Sequence, residues 1–314
     1  MQPIIATEPR IVKEAQTLAV DTVYDVDLPR HGRSIAYVDL FIKGTANHGV
    51  DPSAAGLFYK LIKKIELVMD SKNVHDRMSG EKVFQLNSLL AGARVEHAAP
   101  VATAGSSFAR LRLWIIDPKA ALGDQRRGAR DIGKLTNFKL RFETGALTDV
   151  WADGTLAMAS MDYTVIFGDI PGVVIDGDVV NVFRLNSYTM NGTDEEEKWQ
   201  EEGAELKRIA VMAFDGTTLS DSVVTDLGLR LGGKTNVIPK MAWNLHRSRT
   251  IDYTGLDADL LATGVTFLSL SEKGQPRIFL GQRQAVTPLF KGTADKVISF
   301  VLQQHHGRKS FFGF

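Results

Sequence analysis

The chain has 314 residues, no cysteine, and 37 basic against 37 acidic side chains, for a formal net charge of zero. Disulfides, thiolate nucleophiles and Cys-ligated zinc or iron–sulfur sites are therefore excluded, and a dedicated nucleic-acid binder is disfavoured, because affinity for phosphate needs an excess of Lys and Arg. Fractions of 44% hydrophobic and 24% charged residues are those of globular protein, the length suffices for two domains of about 150 residues each, and a near-neutral surface tolerates dense self-association.

Met1 leads into Gln2-Pro3-Ile4-Ile5 without the basic segment and apolar core of a secretion signal. No window approaches the ~18 uninterrupted apolar residues of a membrane span. The expectation is a soluble chain, or one that reaches a membrane only by its ends. In residues 1–20, Ile11, Val12, Ala15, Leu18 and Ala19 recur at spacings of one, three and four, with Lys13, Glu14 and Gln16 between them. That period predicts a helix, with Pro9 at or near its first turn. Such a helix either packs on a domain edge or forms an amphipathic arm that docks on a neighbour or a membrane surface.

From Thr22 the period becomes two, which predicts strands with one face toward a core and one toward solvent. In the first half these are Val23–Leu28, Ile35–Ile42, Leu61–Asp70, Phe108–Ile116, Phe138–Glu143 and Met161–Phe167. A helix is predicted over Ser79–Leu90, where Val83, Leu86, Leu89 and Leu90 share a face and Gly92 can end it. Gly168-Asp169-Ile170-Pro171-Gly172 reads as a break, so the boundary falls near 168–178. The predicted layout is an arm over 1–20, one domain over 21–170 and a second, with a tail, over 171–314. Strands of the second half are predicted at Val179–Leu185, Leu206–Phe214, Val223–Leu231, Gly264–Leu270, Arg277–Leu280 and Val297–Gln303, with a helix at Met241–His246. Short strands with turn signals and long loops favour sandwiches or barrels.

The two halves repeat each other weakly. Arg33–Val38 followed by Ile65–Met78 matches Lys207–Met212 followed by Leu227–Met241: an alternating apolar run, a turn with Lys and Asn, a basic residue and Met. The loop between the blocks is Gly44–Leu61 in the first copy and Gly216–Val223 in the second. An internal repeat of strand-rich units decides architecture before any motif does.

Motifs for catalysis fail against simpler readings. Ser79-Gly80-Glu81-Lys82 matches Ser-x-x-Lys, but no Ser-Asp-Asn or Lys-Thr-Gly accompanies it, and Ser79 serves as a helix cap. Asp194-Glu195-Glu196-Glu197 with Glu201 and Glu202 is the densest charge run. It lacks the Asp-x-Asp-x-Asp-Gly spacing of a calcium loop, so calcium enters only as a structural ion without a motif, and no cofactor is expected. Asp176-Gly177-Asp178 and Asp124-Gln125-Arg126-Arg127 read as exposed turns; Arg126, Arg127 and Arg130 could meet phosphate or a neighbour's carboxylate. The seven histidines include no His-x-His, and His305-His306 on a strand face opposite sides, which disfavours a metal-dependent jelly-roll enzyme. No Gly-x-Gly-x-x-Gly, phosphate-binding loop or Gly-x-Ser-x-Gly occurs. In the tail, Phe311, Phe312 and Phe314 stand behind Arg308 and Lys309, too apolar for a solvated end. The tail is expected to bury in its own domain, in a neighbour or at a lipid interface.

The order Leu28-Pro29-Arg30-x-Gly32, strand Ile35–Ile42 to Gly44, strand Ile65–Asp70, helix 79–90, a strand pair and a second copy resembles the double jelly-roll major capsid proteins. These belong to tailless icosahedral viruses with an internal membrane, small lipid-containing bacteriophages among them. The resemblance spans roughly 20–305, with Leu28-Pro29-Arg30 and the Phe-Glu-Thr-Gly-Ala of 142–146 as its local marks. It implies an all-β chain of two tandem eight-stranded jelly rolls with an N-terminal helix and short inserted helices. It also implies homotrimers of pseudo-sixfold outline tiling an icosahedral shell, barrels upright to the shell and long loops as outer towers. Ile11, Val12, Ala15 and Leu18 become candidates for inner contact with membrane or neighbour. Arg308, Lys309, Phe311, Phe312 and Phe314 become candidates for a tail contact. The implied partners are the chain itself, other capsid proteins such as a vertex protein, and the internal lipid membrane, with no sequence-specific nucleic acid. The implied location is the virion, after assembly in the host cytoplasm, and the role is not enzymatic. Strands still lacking from the sixteen are expected in loops 92–106 and 247–262. The competing reading is a two-domain β-sandwich carbohydrate-active enzyme or lectin, which calls for aromatic platforms and paired carboxylates in one groove.

Overall fold

The structure is a computed structural model, and it describes residues 4–92, 95, 97–152, 156–172, 174–191, 194–201, 204–232, 235–270, 278–280 and 284–312. The chain divides into two compact units: Gln2–Asn87 with Arg94–Val180, and Asn181–Phe314 with Ser88–Ala93.

In the first unit the elements run β1 (Glu8–Thr17), β2 (Val23–Asp27), β3 (Ser34–Ala46), β4 (Ile62–Met69), β5 (Lys72–Met78), α1 (Gly80–Ala91), β6 (His97–Ala98), β7 (Ser106–Trp114), α2 (Leu122–Gly128), β8 (Arg130–Asp131), β9 (Phe138–Thr144) and β10 (Met158–Asp169). One sheet has the order β1-β10-β3-β7-β6, with β8 on β3; the other runs β5-β4-β9-β2. The period of two is visible in β9, where Phe138, Leu140 and Phe142 are buried between half-buried Lys139, Arg141 and Glu143. The inward faces meet through Phe138 against Phe167 (ring centroids 5.6 Å) and Phe142 against Tyr163 (5.2 Å). Between β4 and β5 the chain reverses on Asp70 and Ser71, both with positive φ (47° and 64°), a turn whose twist matches that of the paired strands.

In the second unit follow β11 (Val179–Thr189), β12 (Asp194–Glu196), β13 (Trp199–Glu201), β14 (Ala204–Asp215), β15 (Thr218–Leu219), β16 (Val224–Leu231), β17 (Thr235–Ala242), α3 (Trp243–Thr254), β18 (Val265–Ser269), β19 (Ile278–Leu280), β20 (Gln284–Gly292), β21 (Val297–Gly307) and α4 (Arg308–Phe312). One sheet carries β15-β14-β21-β11, with β18 and β19 also on β14; the other runs β12-β20-β16-β17, with β13 on β20. Leu206, Ile209, Val211, Leu227, Leu229, Phe290 and Phe300 lie in the core between them.

The two units share one strand order. β1-β10-β3-β7 corresponds to β11-β21-β14-β18, and β2-β9-β4-β5 to β12-β20-β16-β17. Each has a helix after its second hairpin strand, α1 after β5 and α3 after β17. Two four-stranded sheets wound in this order form a jelly roll, and the chain contains it twice. The repeated sequence blocks are the hairpins β4–β5 and β16–β17, each preceded by a long strand, β3 or β14.

Three expectations are corrected. Residues 8–17 form the strand β1, not a helix. Its pairing with β10 contains two bulges, between Ile11 and Lys13 and between Lys13 and Gln16. Each extra residue shifts the alternation by one, so apolar residues recur at the spacings of a helix. The strands missing from the sequence reading are β1, β5, β12 with β13, β17 and β20, and the two-residue β6, β8 and β15. Among the described residues loop 92–106 holds β6 and the start of β7, and loop 247–262 continues α3 and then a short 3-10 turn. β17 and β20 contain Pro239 and Pro288, and an internal proline argues against a strand because it removes a ladder donor. The helix read at Met241–His246 runs from Trp243 to Thr254; past Trp243 its buried face is His246, Thr250 and Thr254, polar residues that leave no apolar stripe.

Candidate assembly surfaces

β1 is the end strand of its sheet, and among the described residues one edge of it has no strand partner. Arg10 fixes its start through a bidentate pair with the buried carboxylate of Asp169 (2.6 and 3.2 Å), which Arg33 also approaches at 3.2 Å. The four residues proposed for an inner contact do not share a face. Ile11 is 56% exposed, opposite Ile166 of β10. Val12 is half-buried and Ala15 is exposed, with φ 28° at the second bulge. Leu18 is 3% exposed and belongs to the core, so it cannot serve as an outer contact.

The tail turns from β21 into α4. Phe311 and Phe312 are buried within the chain, with Phe311 5.1 Å from the His306 ring and 5.0 Å from that of Phe312. Arg308 is half-buried and Lys309 exposed; Phe314 lies outside the described residues.

The outward face of β2-β9-β4-β5 is a lattice of ion pairs that sequence reading missed. Cross-strand register places Asp25 beside Arg141 and Arg141 beside Glu66, and Arg77 of β5 completes the row. Arg141 Nε donates to Asp25 at 3.3 Å. Glu66, its side chain only 4% exposed, accepts from Arg77 Nε at 3.0 Å and from Asn73 Nδ2 at 3.2 Å, with Arg141 Nη1 at 3.6 Å. One row away, Lys64 donates to Glu143 at 2.9 Å. A cleft of about 300 Å³ follows this face. The available signal was the strict alternation of Phe138–Glu143, which puts Lys139, Arg141 and Glu143 on one side; their partners come from strands up to 116 residues away in sequence and no local pattern names them.

The remaining candidates resolve into structure. Ser79 accepts from the Lys82 amide at 3.4 Å at the start of α1, as a cap does. Arg127 is bidentate to Asp178 (2.9 Å to each oxygen), and Arg130 reaches Asp176 at 3.2 Å; Arg126 is exposed. Glu196 of the acidic run pairs with Arg230. Among the described residues no group of three His, Cys, Asp or Glu side chains is placed to hold a metal ion. His75 donates Nε2–H to the Trp114 carbonyl at 2.7 Å, and burial pulls its pKa down to about 4. His246 makes the same contact with the Leu227 carbonyl at 2.7 Å, and burial lowers its pKa too. Trp114, Trp151 and Trp243 are buried and Trp199 is half-buried against Phe300, so no tryptophan forms an exposed platform.

No protein-family model matches the chain, and no curated protein matches it. Solved structures do. The major capsid protein P2 from bacteriophage PM2 is 14% identical with a TM-score of 0.68, covering 96% of this chain and 97% of that one. The STIV MCP, from Sulfolobus Turreted Icosahedral Virus, is 10% identical with a TM-score of 0.75, covering 96% and 97%. The PBCV-1 virus capsid is 10% identical with a TM-score of 0.58, covering 95% and 94%. At these identities the likeness is one of fold, and it extends over both units: the chain is a double jelly roll.

Proposed function

We propose that the chain is a structural major capsid protein whose homotrimers tile an icosahedral shell. The observation that carries this reading is the repetition of one strand order in two units that together use almost the whole chain. The fold matches capsid proteins end to end in both directions, at 96% of this chain and 97% of two of those chains. Two jelly rolls per subunit and three subunits give a six-barrel ring, a unit suited to hexagonal tiling. The role is structural and not enzymatic: of the groups that sequence singled out, Ser79 caps a helix and Arg127, Arg130 and Glu196 are held in ion pairs within the chain. The lectin alternative requires exposed aromatic platforms, whereas three of the four tryptophans are buried and Trp199 is half-buried against Phe300.

Within this reading the location is the virion, after assembly in the host cytoplasm. The partners are the chain itself, a vertex protein and the enclosed membrane. Ile11 and Val12 on β1, and Lys309 with Arg308 at the tail, are the candidate contact residues on the two ends of the chain. Light scattering on the purified chain tests the proposal. A trimer near three times 34.5 kDa, or larger particles, is expected; a stable monomer at micromolar concentration that binds glycans would favour the alternative.

A further inference from the structure

A shell of trimers needs a second contact, between trimers, and icosahedral symmetry places two-fold axes there. Resting on the trimer reading, we propose that the outward face of β2-β9-β4-β5 in the first jelly roll makes that contact with a second copy of itself across a two-fold axis parallel to its strands.

The argument is charge complementarity. The central row across the four strands reads Asp25, Arg141, Glu66, Arg77, alternately negative and positive over about 14 Å at the usual strand spacing. An axis lying in the interface, along the strands and midway between β9 and β4, turns each row to face its own reverse. Asp25 then meets Arg77 of the second copy, and Arg141 meets Glu66. The next row obeys the same rule: Glu143 and Lys64 are neighbours on β9 and β4, so Glu143 meets Lys64 of the second copy. On the other side Asp27 and Lys139 face Asn73 and Val68, the residues of β5 and β4 at that level. No like charges meet in any of the three rows. A two-fold axis perpendicular to the strands would instead set Asp25 against its own copy, so the order of charges selects one orientation.

The face is accessible at Asp25, Arg77 and Lys64, while Glu66 and Val68 lie low within it. Side-chain exposures are 48% for Asp25, 63% for Arg77 and 56% for Lys64. The buried carboxylate of Glu66 takes guanidinium groups from Arg77 and Arg141, as a buried charge requires, and both guanidiniums stay on the outward face. Complementary potentials of this kind set orientation and discriminate against wrong partners, and the contact is screened by salt.

The test uses the full chain, Lys64→Glu and Glu143→Lys. Sedimentation velocity measures association of trimers. Each variant alone puts like charges face to face twice by symmetry, and association is expected to weaken at least about tenfold, because like charges then repel across the contact. Mixed in equal amounts, the acidic and basic variants restore opposite charges across the contact but not within either chain. Association is expected to return to within about threefold of wild type. Unchanged melting of each variant trimer shows that the fold is intact. Should a variant fail to fold, salt decides: wild-type association between trimers is expected to fall as sodium chloride rises from about 0.05 M to about 0.5 M. Association untouched by both substitutions, no rescue on mixing, wild-type trimers that never associate, or association indifferent to salt would each overturn the contact and leave the trimer standing. A wild-type chain that stays monomeric overturns the trimer reading itself.

Discussion

Asp39 of β3 and Arg112 of β7 are direct cross-strand partners joined by two hydrogen bonds, Nε–Oδ1 at 2.7 Å and Nη2–Oδ2 at 2.8 Å. The guanidinium carbon also lies 3.4 Å from the centroid of the Tyr37 ring. Burial pushes the Asp39 carboxyl up and Arg112 pulls it back down. Breaking a buried pair from one side strands a charge in low dielectric. Asp39→Asn or Arg112→Met is therefore expected to lower the unfolding free energy by about 3 kcal/mol, and replacing both residues by apolar ones of similar volume by clearly less. Urea unfolding in a double-mutant cycle measures this; single and double losses that simply add would mean the two residues act independently.

His75 makes stability depend on pH. Its pKa is about 4 in the folded chain against an ordinary 6.5, so between those values the unfolded chain binds more protons. Stability from this group is fully present above pH 6.5 and is lost as pH falls through about 4, on the order of 3 kcal/mol. The lowered pKa of His246 acts in the same direction. Unfolding curves of wild type and His75→Gln at pH 7 and pH 4.5 should differ in slope against pH, with the variant flatter; parallel slopes would remove His75 as the source.

Ile11 in β1 and Leu18 just after it should separate fold from assembly. Leu18→Ala empties a core position and is expected to cost about 2–3 kcal/mol, whereas Ile11→Ser should leave the melting temperature within about 2 °C. Deleting residues 1–20 removes a sheet strand, and cooperative unfolding of the first jelly roll should fail or shift strongly downward. A fully stable deletion variant would restore β1 to the status of a detachable arm.

Gly177 has no room for a side chain. A Cβ there would come within 1.8 Å of the Arg127 backbone carbonyl, next to the Arg130–Asp176 and Arg127–Asp178 pairs. Gly177→Ala is expected to destabilise by about 1–3 kcal/mol through forced backbone movement, read as a lower urea midpoint at unchanged m-value. Gly172→Ala, with open space around the Cβ, should lose less and only through its positive φ.

Much of the architecture was legible because one physical rule covers it. Strands with one buried face alternate, and β2, β7, β9 and β16 announce themselves that way, while β3 and β14, buried on both faces for most of their length, show as continuous apolar runs. The repeated blocks were legible because each copy must close the same hairpin. β1 was misread because bulges spoil its alternation, β17 and β20 because proline hides theirs, and the length of α3 because threonine and histidine fill its buried face. The ion-pair lattice was half legible: β9 displays its outward charges, but Asp25, Glu66 and Arg77 join them only through sheet order.

By itself, the sequence determined that this is a cysteine-free, strand-rich, duplicated chain with no local catalytic motif, since periodicity and composition are properties of neighbouring residues. Only the tertiary structure decided that the first twenty residues belong to a sheet, that the phenylalanines at 311 and 312 turn inward, and that four separated strands align their charges in a self-complementary row. Those outcomes depend on register between segments far apart in the chain, and register is fixed by packing both faces of a sheet at once.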